Sequence, residues 1–176
     1  MPAILAQLSG PVDLYTADGG FDVTGKENLQ ETLMIPLIKG EIETGLRALK
    51  PGGDFVLKMF TFFTPEMLAL LTLLMRSFRE YYIFKPSTSG PLNSESYFVG
   101  VGYRGPGNLS FLNQPVDAIL GTLTPEELNF LLARMRELVT TQIQNIQLFL
   151  KGQPTQMPIY PEVPKLNSQD WIATTK

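Results

Sequence analysis

Residues 49–60 read LKPGGDFVLKMF, and this stretch decides the fold. The Pro-Gly-Gly at 51–53 is a turn signal, and residues 54–60 alternate with β-rich side chains, which is typical of a strand. Upstream, apolar residues recur at helical spacing over residues 27–49, although Pro36 breaks the pattern and predicts a new turn. A helix, a turn and a strand in this order predict an α/β unit.

The surrounding sequence continues the alternation of strands and helices. A short apolar run at 12–17 ends in Asp-Gly-Gly and predicts a buried strand followed by a turn. Thr64 and Pro65 are typical of a helix N-cap and first turn, and that helix is predicted to reach about residue 78. Further strands are predicted at 81–84 and 96–103, separated by a loop rich in proline and serine at 85–94. The result is an α/β sheet with an antiparallel hairpin at its edge.

The last third of the chain follows a different pattern. Residues 105–122 are irregular, and Thr124-Pro125-Glu126-Glu127 is then a capping box with proline in place. It predicts a long amphipathic helix to about Leu150, whose apolar stripe packs on the core or, alternatively, on a partner. From Gly152 onward, repeated prolines predict an extended tail. We therefore divide the chain into segments 1–104, 105–151 and 152–176.

Composition excludes several classes of function. The 176 residues are 44% hydrophobic and 18% charged, as in a globular domain, and include no cysteine and no histidine. A disulfide framework, a Cys/His zinc site, a cysteine nucleophile and a Ser-His-Asp triad are excluded, and no metal site is predicted. The net charge of −3 argues mildly against an autonomous RNA binder. The longest apolar-rich stretch, 67–75, is far shorter than the ~20 residues that span a bilayer, so no membrane contact is predicted.

Three segments, in order, carry a resemblance to a known family. They are VDLYTADGGF at 12–21, followed by ENLQE at 27–31; the opening stretch at 49–60; and FKPSTSGPLNSESY at 84–97. Together they resemble FtsJ-like ribose 2′-O-methyltransferases of the mRNA-cap type over residues 12–103. The resemblance implies a partial Rossmann-like methyltransferase sheet, comprising its C-terminal strands and helices, followed by the long C-terminal helix.

The resemblance also implies a catalytic site. The family works with a Lys-Asp-Lys-Glu tetrad, and its last three members match Asp18, Lys58 and Glu95. Taken singly, each has an ordinary interpretation: a turn residue, a surface lysine and a loop charge. Together, they predict that the two carboxylates orient the lysine amine within hydrogen-bonding reach of both. The amine would then remove the proton of a ribose 2′-hydroxyl as that hydroxyl attacks the methyl donor.

The cofactor and partners follow from the same resemblance. The family uses S-adenosylmethionine, and the positions that match its contacts here are Asp18 and Gly19. Capped RNA is the implied substrate, with Asn93, Ser94 and Lys85 as the expected contacts. The implied location is intracellular, in the nucleus, in the cytoplasm or in association with a virus.

Two departures from the family pattern leave the function open. No residue before Pro11 supplies the glycine-rich loop, the acidic residue and the first lysine of the donor-binding half. Relatives also have arginine at the positions of Gly90 and Ser96, so two phosphate-binding groups are missing. The sequence therefore predicts the catalytic half of a cap methyltransferase that needs a further N-terminal segment, a partner or self-association to bind the donor. The alternative is a non-catalytic interaction module of the same family.

Overall fold

Two parallel strands joined by a helix form one side of the sheet. The computed structural model describes residues 5–156 and has mixed α/β architecture. Its elements are β1 Val12–Ala17, α1 Gln30–Ala48, β2 Leu49–Met59, α2 Pro65–Ser77, β3 Phe78–Phe84, β4 Ser96–Tyr103, α3 Val116–Leu120 and α4 Pro125–Leu150. The strand order is β1-β2-β4-β3, with β1 parallel to β2 and β4 antiparallel to both of its neighbours. This is a Rossmann-like arrangement with an antiparallel hairpin at one edge.

The register of the strands brings residues that are distant in sequence to one end of the sheet, where β1 and β2 finish and β4 begins. Ala17 pairs with Leu57, so the carboxyl ends of β1 and β2 lie side by side. Lys58 pairs with Tyr97, which places the amino end of β4 at the same edge. Because side chains alternate between the faces of a strand, Tyr97 shares a face with Lys58, and Ala17 points to the other face.

The face of the sheet that carries Leu57 is the core. Phe55, Leu57 and Met59 are fully buried there beneath α1 and α2. At Gly45, helix α1 approaches so closely that an added Cβ would lie 2.3 Å from the ring of Phe55, so only glycine fits. The Tyr103 hydroxyl then ties β4 to α1 by donating to the Leu46 carbonyl at 2.8 Å.

Three element boundaries differ from the sequence prediction. Strand β2 begins at Leu49 rather than at residue 54, because Gly52 adopts a φ of 86° and a register shift opposite β1 absorbs the extra residues. Helix α1 runs through Pro36 without a break, since a proline removes one backbone hydrogen bond while the buried face of the helix remains packed. Strand β3 begins at Phe78, three residues earlier than predicted.

The C-terminal helix forms as predicted. Thr124 accepts from the Glu127 backbone, and the Glu127 side chain accepts from the Thr124 backbone, which completes the capping box of α4. The Arg76 guanidinium binds both oxygens of the Glu127 carboxylate, at 2.9 and 2.7 Å, and so fastens the start of α4 to α2. The stretch predicted to be irregular contains a 3-10 helix, Pro106–Asn113, as well as α3.

The expected tail is described only in part. At its start, the Asn145 side chain exchanges two hydrogen bonds with the backbone of Gln156, at 2.6 and 2.7 Å, so the chain turns back along α4. The tail beyond that point, 157–176, lies outside the described residues, as do residues 1–4. Within 5–156, no helix has the length and hydropathy needed to cross a membrane.

Candidate active site

An ion pair joins β1 and β2 at their carboxyl ends. The Lys58 Nζ contacts Asp18 Oδ1 and also donates to the Asp18 carbonyl oxygen at 3.2 Å. The Lys58 side chain is 15% exposed, whereas that of Asp18 is 72% exposed. A pair this accessible contributes little to stability. Its effect is to fix the direction of the amine at the carboxyl ends of the parallel strands, where ligands of open α/β sheets bind.

Glu95 lies just before β4 and is held by two hydroxyl groups. Ser89 Oγ donates to Glu95 Oε1 at 2.9 Å, and the Tyr97 hydroxyl donates to the same oxygen at 3.3 Å. Within the described residues, the ion pairs join Lys58 to Asp18 and not to Glu95. The expectation that the amine contacts both carboxylates is therefore wrong for Glu95. Its Oε1 atom accepts from the Ser89 and Tyr97 hydroxyls instead.

The Tyr97 phenol lies near the carboxylates of both Glu95 and Asp18. Burial raises the pKa of Tyr97, and the negative charges of Glu95 and then of Asp18 raise it further. Tyr97 pairs in register with Lys58, so both side chains lie on the same face. The structure thus brings Asp18, Lys58 and Glu95 to one edge and one face of the sheet, with Tyr97 among them.

A third carboxylate, which the sequence did not single out, supports this edge from α1. Glu41 Oε1 accepts from the Gly19 backbone at 2.9 Å, and the buried Glu41 Oε2 has no hydrogen-bond partner within residues 5–156. Burial raises the pKa of Glu41; the hydrogen bond from Gly19 and the charge of Lys58 oppose the rise, and Asp18 adds to it. Since Glu41 lies mid-helix among ordinary surface residues, no spacing signal marks it in the sequence.

The expected RNA contacts occupy different environments. Asn93 is exposed and Ser94 is half-buried, and both line a cleft beside Glu95. Lys85 departs from the expectation, because it is only 5% exposed and its amine is hydrogen-bonded inside the loop. A phosphate contact requires an accessible amine, so the placement of Lys85 favours a structural role.

The cleft lies between the sheet edge and α4. Its water-accessible volume is about 20 Å³, roughly the room for one water molecule. Its lining comes from three parts of the chain: Phe60, Thr61, Phe62 and Phe63; Lys85, Asn93, Ser94 and Glu95; and Met135, Leu138, Val139 and Gln142. Phe62 is buried in the core, while Phe63 is 53% exposed and offers an aromatic face. Helix α4 is fastened here by Gln142, whose amide donates to the Leu92 carbonyl at 3.0 Å.

Glu31 shapes the aromatic wall of the cleft. Its carboxylate accepts from the Thr61 hydroxyl at 2.6 Å and from the backbone of Phe63 and Thr64 at 2.9 and 2.6 Å. Burial alone would raise the pKa of Glu31, but these hydrogen bonds together hold it below its ordinary value. The ionised carboxylate of Glu31 therefore fixes the loop that presents Phe63.

No cluster of metal-ligating side chains is found within residues 5–156.

Comparison with known families assigns this chain to one of them. The model of the FtsJ-like methyltransferase family matches residues 2–103, more than half of the chain. The chain belongs to the FtsJ-like methyltransferase family. The match includes every strand of the sheet and all three of the predicted catalytic residues.

The most similar members of this family include cap methyltransferases. Cap-specific mRNA (nucleoside-2′-O-)-methyltransferase 1 of Dictyostelium discoideum is 34% identical over 80% of this chain and 20% of its own length. Cap-specific mRNA (nucleoside-2′-O-)-methyltransferase 2 of Danio rerio is 50% identical over 53% of this chain and 12% of its own. A probable methyltransferase, EP424R, of African swine fever virus is 35% identical over 79% of this chain and 29% of its own. The chain thus spans less than a third of the length of these relatives.

A solved structure supports the fold of the family member. The structure named Alphavirus P23pro-zbd aligns with 87% of this chain and 19% of its own, with a TM-score of 0.52. At 17% sequence identity, this similarity concerns the fold alone.

Ser96 and Gly90, where the resemblance implies arginine, lie in different environments. Ser96 is buried, and its hydroxyl donates to the Phe60 carbonyl at 2.9 Å, so it closes the junction of β2 and β4. Gly90 is exposed at the tip of the loop. Ser96 therefore has a packing role in this chain.

Proposed function

We propose that this chain carries the catalytic side chains of an S-adenosylmethionine-dependent mRNA cap ribose 2′-O-methyltransferase. One observation supports it above the others. Asp18 holds the Lys58 amine at the end of the sheet where Glu95 is also fixed, and these are the three residues that the resemblance assigns to the catalytic tetrad. The names of the relatives, which describe action on capped mRNA, supply the substrate class.

The proposed reaction requires a proton to leave the ribose. A 2′-hydroxyl is a weak nucleophile until a base takes its proton. Lys58 is the group placed to accept this proton, which only its uncharged amine can do, and Asp18 keeps the amine pointed into the site. Glu95 is held by the Ser89 and Tyr97 hydroxyls at the same end of the sheet, where its carboxylate orients the ribose. S-adenosylmethionine, when bound, supplies the methyl group as an electrophile on sulfonium sulfur.

The described residues include the positions expected to contact the methyl donor. A Cβ added at Gly20 would lie 3.8 Å from the Lys58 amine, in van der Waals contact with it, so the glycine turn lies directly beside the amine. The Asp18 carboxylate is accessible to a ligand, whereas the Gly19 N–H is already bound to Glu41. We propose that the remaining donor contacts come from a donor-binding half outside residues 5–156, provided by a further segment of the same protein, by a partner or by a second copy.

The edge of the sheet suits such an arrangement. Strand β1 is at the end of the strand order, and within residues 5–156 no strand pairs with its outer side. Leu14 on this strand is 43% exposed. An unpaired strand edge with an apolar side chain is a common site of association. A docked donor-binding half would cover it and complete the site at Asp18.

A second candidate function is a non-catalytic interaction module. The observation that favours it is the apolar surface of α4, where Ile143, Phe149 and Leu150 are 50%, 61% and 77% exposed. A module of this type would bind a partner through α4 and would not depend on Lys58.

The test is the identity of the product. The chain is incubated with labelled S-adenosylmethionine and capped RNA, with and without a family member's donor-binding half, and the RNA is hydrolysed in alkali. We expect label in an alkali-resistant dinucleotide, because a 2′-O-methyl group blocks cleavage at that linkage. A capped RNA already methylated at the first 2′-oxygen should accept no label there. Absence of label in every mixture would contradict the catalytic proposal and favour the interaction module.

A further inference from the structure

The loop between β3 and β4 is folded around a buried ammonium group. The three N–H groups of the Lys85 amine are shared among four acceptors: Asn93 Oδ1 at 2.5 Å, the carbonyls of Asn93 and Glu95 at 3.0 Å each, and Ser89 Oγ at 3.2 Å. Lysine is almost never buried unless its charge is compensated. Here, the compensation comes mainly from neutral oxygens of one short loop. Lys85 is therefore the centre around which this loop closes.

The partners of Lys85 lead directly to Glu95. Ser89 Oγ, which accepts from Lys85, donates its proton to Glu95 Oε1 at 2.9 Å. Asn93 Oδ1, which also accepts from Lys85, accepts from the Glu95 backbone N–H at 3.2 Å. Both the main chain and the carboxylate of Glu95 are thus held by groups that Lys85 orients.

We propose that Lys85 and Ser89 are positioning residues that fix the Glu95 carboxylate for methyl transfer, with Ser89 as the connecting hydroxyl. This inference rests on the proposed function, in which Glu95 orients the ribose. It assigns to Lys85 a role different from the expected contact with RNA. It also gives Ser89 a role, although the family pattern marks only Glu95 in this loop.

The electrostatics of the loop support this assignment. Burial lowers the pKa of Lys85, and the negative charge of Glu95 opposes that shift. The carboxylate therefore stabilises the ammonium, while the ammonium, through Ser89, restrains the carboxylate. The Ser89 hydroxyl has one proton, and Glu95 Oε1 at 2.9 Å is a closer acceptor for it than Asn93 Oδ1 at 3.3 Å.

The test combines a double-mutant cycle with a conservative rescue. We expect Ser89→Ala to lower kcat for capped RNA by roughly 10- to 100-fold with KM changed less than about threefold, the range expected for a misplaced catalytic group. Ser89→Thr retains the hydroxyl and should recover most of the rate. Because Ser89 acts through Glu95, Ser89→Ala should cost no further activity in a Glu95→Gln background. Additive losses, or wild-type kcat in Ser89→Ala, would overturn the proposal.

A second readout does not depend on catalysis. The pKa of Tyr97, which Glu95 helps to raise, is followed by tyrosine-specific carbon-13 NMR. We expect it to fall in Lys85→Met and in Ser89→Ala, because a released carboxylate moves away from the phenol. Lys39→Met, on the exposed face of α1, is the control and should leave it unchanged. An unchanged pKa of Tyr97 in both loop variants would overturn the proposal, even in a preparation that transfers no methyl group.

The proposed function and the positioning role can be tested separately. If Lys58→Ala retains methyl transfer, the proposed function fails, whatever the loop variants show. If Lys58→Ala is inactive while Ser89→Ala has wild-type kcat and an unchanged pKa of Tyr97, the positioning role fails and the proposed function stands.

Discussion

The two ends of the β1–β2 pair carry the same ion pair in different surroundings. At the amino end, Lys50 contacts Asp13, with side chains 48% and 83% exposed. At the carboxyl end, Lys58 contacts Asp18, and the lysine is only 15% exposed. Each pair joins an aspartate at one end of β1 to a β2 lysine, so the chemistry of the pair cannot distinguish a site from a surface contact.

The surroundings of the two pairs make the difference. Around Lys58, the structure adds Glu95 and Tyr97 from the β3–β4 hairpin and the Glu41 carboxylate from α1. Lys50, in contrast, lies on the exposed side of the turn into β2. Clustered groups with perturbed pKa values are more typical of functional sites than isolated pairs are. The comparison teaches that convergence of chain segments, rather than the ion pair itself, identifies the site.

Neutralising the aspartate at each end should give the largest contrast. Asp18→Asn removes the charge that orients the Lys58 amine, and we expect methyl transfer to fall about 100-fold, within the range attributed to general base catalysis. Asp13→Asn should leave the rate within about twofold and change the free energy of unfolding by less than about 0.5 kcal/mol. Rates are measured at saturating capped RNA, and stability by urea unfolding. Equal losses of rate in both variants would contradict the conclusion that only the carboxyl end of the β1–β2 pair forms the site.

Glycines at the two ends should respond in opposite ways. A Cβ in Gly19→Ala would lie 2.3 Å from Glu41 Oε1, so the Glu41 carboxylate must move away from Gly19, and we expect up to a roughly tenfold loss of rate. Gly52 has a φ of 86°, so Gly52→Ala should cost about 1–2 kcal/mol of stability through backbone strain. The rate of folded Gly52→Ala should match that of the wild type. A reversal of these two effects would show that the site lies at the amino end of the β1–β2 pair and not at the carboxyl end.

Glu41 should give the smallest effect, visible in the pH dependence of stability. The pKa of Glu41 is raised in the folded state, so the stability that its protonated form contributes is present below its ordinary value of 4.5 and lost as pH rises through the folded value. A glutamine side chain at this position stays neutral and still accepts from Gly19. We therefore expect Glu41→Gln to gain stability over the wild type as pH rises from about 4 to about 7, by less than about 1 kcal/mol.

The control for this last effect is Glu43→Gln, which removes a carboxylate from the same helix that is paired with Arg47. Thermal unfolding across the pH range compares the two. A stability difference between Glu41→Gln and the wild type that stays constant with pH would show that the carboxylate is not buried against the site.

Much of the fold could be predicted because its signals are local. Thr64 and Thr124 each precede proline at a helix start, and both cap their helices as expected. The extent of β2 could not be predicted, because Gly52 bends the turn into the strand only when β1 lies beside it. Pro36 is similar, since the packing that keeps α1 intact involves residues distant in sequence.

The site was less predictable than the fold. The family pattern marks Asp18, Lys58 and Glu95, and the strand register explains why they meet. The burial of Lys85 could not be read from the sequence, because a loop rich in serine and proline gives no sign that it closes on its own lysine. Glu41 was missed for a related reason: its partner, Gly19, is distant in sequence.

The most direct test of the account is a side-by-side measurement of methyl transfer by Lys58→Ala and Lys50→Ala. Initial rates are measured with capped RNA and labelled S-adenosylmethionine, together with the donor-binding half if the transfer requires it. The account predicts that Lys58→Ala loses about 10²- to 10⁴-fold in rate with its fold intact, while Lys50→Ala retains the wild-type rate. Methyl transfer by Lys58→Ala at a rate comparable to that of Lys50→Ala would contradict the account.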